Sequence, residues 1–189
     1  MRQLLALAFL LVAASKPALP HVRLDTSEGP IVLELDTRHA PITATNFLAY
    51  VDEHRFDNTS FYRAARAKAD PRRGFVQGGV NHVIGHSRFP IEHEPTSKTG
   101  LHHLDGSISM AMFKPGSAQG DWTILVGPAP SMDSHGADPG YAAFGHVVSG
   151  MATVRRILAA KTMLNAGDGV MKGQMIAKPV VITRAVRVP

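Results

Sequence analysis

The side chains best placed to do chemistry lie in Phe61-Tyr62-Arg63 and in the return Phe75-Val76-Gln77-Gly78-Gly79. Thirteen residues separate Arg63 from Gln77, with the polar run Ala67-Lys68-Ala69-Asp70-Pro71-Arg72-Arg73 between them. No cysteine, acidic pair or nucleophile accompanies the arginine and the amide. A guanidinium keeps its proton throughout the working pH range, so Arg63 is a permanent hydrogen-bond donor. The chemistry on offer is directed hydrogen bonding beside aromatic surface.

Other groupings are weaker. The ten histidines include His82, His86, His93 and the pair His102-His103 near Asp105. The spacing of His82 and His86 would bring two imidazoles together on a helix, but Asn-His-Val-Ile-Gly-His-Ser-Arg-Phe-Pro carries a glycine and a proline and does not read as one. These histidines read as solvated loop residues, and no metal or other cofactor is expected. Ser, His and Asp also crowd the segment Gly127–Gly140, where nothing in the sequence positions them as a triad. No glycine-rich phosphate cradle is present.

The elements that must hold Arg63 and Gln77 follow from periodicity. Residues 22–36 give two short runs around Ser27-Glu28-Gly29, with Ile31, Leu33 and Leu35 alternating onto one face, which predicts an opening β-hairpin. Pro41 stands at a first-turn position, and Ala44, Phe47, Leu48 and Val51 follow at helical spacing. From Asn58 to Gly145 short apolar runs alternate with Gly-, Pro-, Asp- and His-rich loops, as in β-structure. Met151, Val154 and Leu158 share the face of a second helix, and Lys178–Pro189 closes as a strand. Two helices and many antiparallel strands around one core predict a barrel or sandwich capped by helices.

The chain has 189 residues, 44% of them hydrophobic, enough for one domain with a sizeable core. Its charged fraction of 19% excludes wholesale disorder. The net charge of +5 comes from scattered basic residues, so no nucleic-acid partner is expected. At the start, one basic residue precedes an apolar run from Leu4 to Ala14, with small residues at Ala14 and Ser15. This pattern predicts a secretory signal over residues 1–15, because the run is short for a span that needs about twenty apolar residues. Once it is removed, a domain over residues 21–189 is expected in the periplasm or secreted, without membrane association. With no cysteine it has no disulfide, and nothing demands more than a monomer.

Five separated segments resemble the cyclophilin-type peptidyl-prolyl isomerases, in order and at fitting spacing: residues 40–47, 56–63, 75–79, 102–111 and 141–157. The likeness is to a bacterial exported member. It implies a mainly β fold, a closed eight-stranded antiparallel barrel capped by two α-helices, with the site on its outer face. It also implies isomerisation of X-Pro bonds in proline-containing polypeptide clients. Arg63 then stands as the catalytic arginine, and Gln77 as the glutamine that contacts substrate backbone and orients it.

The resemblance places further residues at the substrate groove. Tyr62 replaces the usual histidine and lines the rim. Phe75 either walls the pocket or packs in the core, since the insertion before it shifts the alignment. Met112 replaces asparagine or arginine at a position that binds through its backbone, while Met132 lies near the pocket leucine and Tyr141 near the rim histidine. Asp121 replaces a glutamine or glutamate, and Trp122 and Thr123 replace two phenylalanines. Strand alternation turns Trp122 into the barrel and Thr123 towards the groove, so the aromatic floor is missing. Two functions remain open: an isomerase of reduced activity, and a binding or chaperone-like module with little catalysis.

Overall fold

The computed structural model describes residues 18–189 other than residue 82; the signal segment expected over residues 1–15 lies outside them. The elements run β1 (His21–Thr26), β2 (Ile31–Leu35), α1 (Pro41–Asp52), β3 (Thr59–Arg66), β4 (Gly74–Gly79), α2 (Thr96–Thr99), β5 (Ser107–Met110), β6 (Asp121–Val126), β7 (Ala142–Ser149), α3 (Met151–Ala159), β8 (Thr162–Met163) and β9 (Met175–Val188). The opening hairpin alternates as expected: Ile31, Leu33 and Leu35 are buried while Val32 and Glu34 are not.

The strands pair in the order β1-β2-β7-β5-β6-β4-β3-β9, and β9 returns to β1. This closes an eight-stranded antiparallel barrel, which leaves no open edge within the ring. Beyond the expectation, β8 adds a two-residue ribbon to the start of β9, and α2 adds a single turn to the two longer helices.

Aromatic rings fill the interior. Trp122 is fully buried and meets Phe47, Phe56 and Phe61 edge-on, with centroids 5.6, 5.9 and 5.2 Å away. Such contacts contribute about 0.5–1.5 kcal/mol each beyond area burial, and they fix the indole on the inner face of β6.

Both longer helices are anchored by residues distant in sequence. No side chain of its own caps α1; instead, the buried Glu94 accepts hydrogen bonds from Ile42 N and Thr43 N at 3.1 and 2.7 Å. A carboxylate here satisfies two orphan donors and complements the helix dipole. In α3, Thr153, Val154, Ile157 and Leu158 bury one face. Its last carbonyls accept from Arg66 of β3, with Nε 2.7 Å from Leu158 O and Nη2 bonded to Ala160 O.

Candidate active site

A β-bulge decides what β3 presents. Phe61 pairs with Gly78 and Arg63 with Gln77, so Tyr62 is an extra residue between consecutive pairs. Phe61 and Ala64 both belong to the core. Without the bulge Phe61 and Arg63 would share one face; with it, Tyr62 and Arg63 both turn outward. On the adjacent strand the Gly78-Gly79 pair allows close approach. Gly79 has φ +128°, and a Cβ there would lie 2.2 Å from the carbonyl oxygen of Gly120, a conformation reserved for glycine.

Arg63 and Gln77 are direct cross-strand partners, and Arg63 Nη1 donates to Gln77 Oε1 at 2.9 Å. The guanidinium lies over the Phe75 ring, its Cζ 5.0 Å from the centroid, within range of a cation–π contact. On the opposite side, Arg63 Nε donates to Gln174 Oε1 at 2.8 Å. Burial draws the guanidinium pKa below its ordinary value, but the group remains charged at any working pH.

A cavity of about 470 Å³ opens beside this arginine. Phe75 and Gln77 line it, and so do Asp121 and Thr123 of β6. Met112, Met132 and Tyr141 line it as well, so that of the groove residues expected from the sequence only Tyr62 is missing from the lining. Phe75 is therefore pocket wall rather than core. Met110 belongs to the core and reaches the base of the cavity. Thr123 is paired between Gln77 and Ser109 and faces the cavity, whereas Trp122 points inward, as alternation predicts.

Tyr62 is placed differently from its expected rim position. Only 5% of it is exposed, and its hydroxyl donates to Asp121 Oδ1 at 3.0 Å. The bulge turns it outward, but this bond holds the ring under the rim as a strut for Asp121. Burial first, and then Asp121, push the phenol pKa far up, so it remains a donor. Sequence reasoning missed Gln174, Met171 and the exposed Val170, which come from the segment after β8. The only local signal was Gly167-Asp168-Gly169, which marks a loop and does not reveal where it folds back.

The reading of the loop histidines as solvated holds for the exposed His86 and His102 but needs correction at His103. His103 is 1% exposed; its Nδ1 stands 2.5 Å from Asp133 Oδ1 and its Nε2 2.8 Å from Ser109 Oγ. Asp133 comes from the loop whose Ser, His and Asp looked unpositioned, and its partners come from elsewhere in the chain. The row has the order of a hydrolytic triad, but Ser109 is fully buried and no substrate reaches it. It braces the cavity from behind, between Met132 and Thr123. Among the described residues no three His, Cys, Asp or Glu side chains converge to hold a metal ion.

This row sets a pH dependence of stability. Burial lowers the His103 pKa against the opposing pull of Asp133. For Asp133, burial raises the pKa, but hydrogen bonds from His103 and His102 outweigh it and leave it lowered. Both groups take up protons less readily when folded, so their contribution is present above the unfolded pKa values and is lost on acidification. For His103 the loss begins near the ordinary value of about 6.5. Wild type should lose more of its Tm between pH 7 and pH 5 than His103→Gln does. Equal falls in the two proteins would remove His103 as the source.

Comparison with known proteins agrees with this geometry. The family model for "Cyclophilin type peptidyl-prolyl cis-trans isomerase/CLD" matches residues 21–186. The peptidyl-prolyl cis-trans isomerase A of Dickeya dadantii is 33% identical over 166 residues, 87% of this chain and 83% of that protein. A peptidyl-prolyl cis-trans isomerase of Acinetobacter baylyi is 32% identical over 160 residues, 82% of this chain and 81% of that protein. A Cryptosporidium parvum cyclophilin-type isomerase, crystallised in the presence of the dipeptide Ala-Pro, shares the fold at a TM-score of 0.70 and 20% identity, covering 89% of this chain and 99% of that one. With the matching barrel, the family match across nearly all the described residues establishes that the chain belongs to the cyclophilin-type peptidyl-prolyl cis-trans isomerases.

Proposed function

We propose that the cavity beside Arg63 binds X-Pro segments of exported proteins and catalyses their cis–trans isomerisation, with the chain acting as a monomer and at reduced activity. Rotation about a peptide bond is opposed by about 18–20 kcal/mol because the nitrogen lone pair is shared with the carbonyl. A donor directed at the prolyl nitrogen localises that lone pair as the bond twists, and an apolar wall holds the ring while the preceding carbonyl swings. The observation that carries this reading is the charged donor Arg63, bonded to Gln77 at 2.9 Å and backed by the Phe75 ring. An interaction that strengthens in the twisted state counts fully towards rate.

Reduced activity follows from Thr123, which offers little apolar surface where the family has an aromatic floor. The same feature supports a second reading, a module that docks proline-containing segments and turns them over poorly. The proposed export rests on the apolar run Leu4–Ala14 followed by small residues.

Isomerisation of a proline peptide by the purified domain decides between catalysis and docking: turnover above the uncatalysed rate is expected, and binding without turnover establishes the module instead. The mass of the protein from its native source checks export. Cleavage near Ala14 or Ser15 is expected, and a retained Met1 defeats the reading.

A further inference from the structure

The Arg63 guanidinium is held from two sides, and only the Gln77 side belongs to the barrel wall that the sequence pointed to. Between Phe61 and Arg63, β3 advances two residues; its partner β9 advances five, from Val180 back to Met175. The extra length lets the chain leave the barrel and return so that Met175 lies opposite Arg63. Gln174, one residue earlier, is pinned by its backbone: Ala64 N donates to Gln174 O at 2.9 Å, and Gln174 N donates to Met171 O at 3.0 Å. Its side-chain oxygen is thereby delivered 2.8 Å from Arg63 Nε.

We propose that Gln174 is a positioning residue for the isomerase reaction, fixing the Arg63 guanidinium through Nε while Gln77 fixes it through Nη1. The inference rests on the catalytic reading of Arg63 given above. A guanidinium on a long stem rotates among several rotamers, and a single bond to Nη1 leaves it free to pivot. A second bond at Nε sets the plane of the fork and leaves Nη2 to donate to a bound peptide. The cost of losing this bond falls on the rate of the bound step, because orientation matters most where the donor must track the twisting nitrogen. The ring is held by other residues, so binding is spared.

The test measures kcat and KM on a proline peptide for Gln174→Leu, Gln174→Glu and Arg63→Ala, together with the Arg63 Nε–H resonance by ¹⁵N NMR. Gln174→Leu should lower kcat by about 5- to 20-fold with KM changed less than twofold. It should also shift the Nε–H resonance and speed its exchange with solvent. Gln174→Glu keeps an acceptor opposite Nε and should recover the protected resonance and most of the lost kcat.

Should Gln174→Leu lower Tm severely, Gln174→Asn replaces it: the shorter amide cannot reach Nε, and it must show the same fall in kcat. In a folded protein, wild-type kcat with an unchanged Nε–H resonance overturns the role of Gln174. If Arg63→Ala loses turnover while Gln174→Leu keeps it, only this inference falls. If Arg63→Ala keeps turnover, the catalytic reading falls and Gln174 with it.

Discussion

Replacing Arg63 by alanine should lower kcat/KM on a proline peptide by about ten- to a hundredfold while the barrel stays folded. The magnitude comes from one charge-assisted hydrogen bond, worth about 1.5–3 kcal/mol, with each 1.4 kcal/mol a factor of about ten. The fold should tolerate the change because Arg63 is only partly buried at the cavity and belongs to no core contact, so Tm should shift by no more than a few degrees. Arg63→Lys should fail nearly as badly. Arg63 bonds Gln174 through Nε and Gln77 through Nη1 at once, and an ammonium on a flexible stem cannot reproduce that planar fork. Steady-state kinetics beside thermal melts check both variants. Wild-type turnover in a folded alanine variant defeats the assignment of Arg63.

Thr123→Phe is expected to raise kcat/KM, chiefly through a lower KM. Thr123 faces the cavity of about 470 Å³ between Gln77 and Ser109, so a ring there would extend into open space. At about 25 cal/mol per Å² the added contact stabilises a bound prolyl ring by roughly 1–2 kcal/mol, or about 5- to 30-fold in affinity. Because cis, trans and twisted forms all feel the floor, kcat should change little. For the same reason the wild-type protein should be poorly inhibited by the cyclic peptide drug that typifies the family. Kinetics and inhibitor titration of the two proteins measure this. An unchanged KM would show that Met132, Met171 and Phe75 already close the floor.

In the sequence, periodicity alone narrowed the fold to a barrel or sandwich, and the resemblance of five segments to one family supplied the closed barrel and most of the residues around the cavity. Alternation in β2 and the apolar face of α3 are local patterns, legible because side chains repeat every two residues on a strand and about every 3.6 on a helix. The same alternation correctly sent Trp122 inward and Thr123 outward. The motif around Arg63 and Gln77 carried their pairing, since the two strands are consecutive and their register is short-range.

What the tertiary structure alone decided lies where distant segments meet. The bulge at Tyr62 and its bond to Asp121 buried a residue expected at the rim. His103, read as a solvated loop histidine, joined Asp133 and Ser109 behind the cavity floor. Gln174 reached Arg63 across 111 positions of sequence, and Glu94 capped α1 from more than fifty residues away. The physical reason is common to all four. A polar side chain's partner is set by which chain segments the closed barrel brings within about 3 Å, and hydrogen bonds of that kind leave no periodic trace in the sequence.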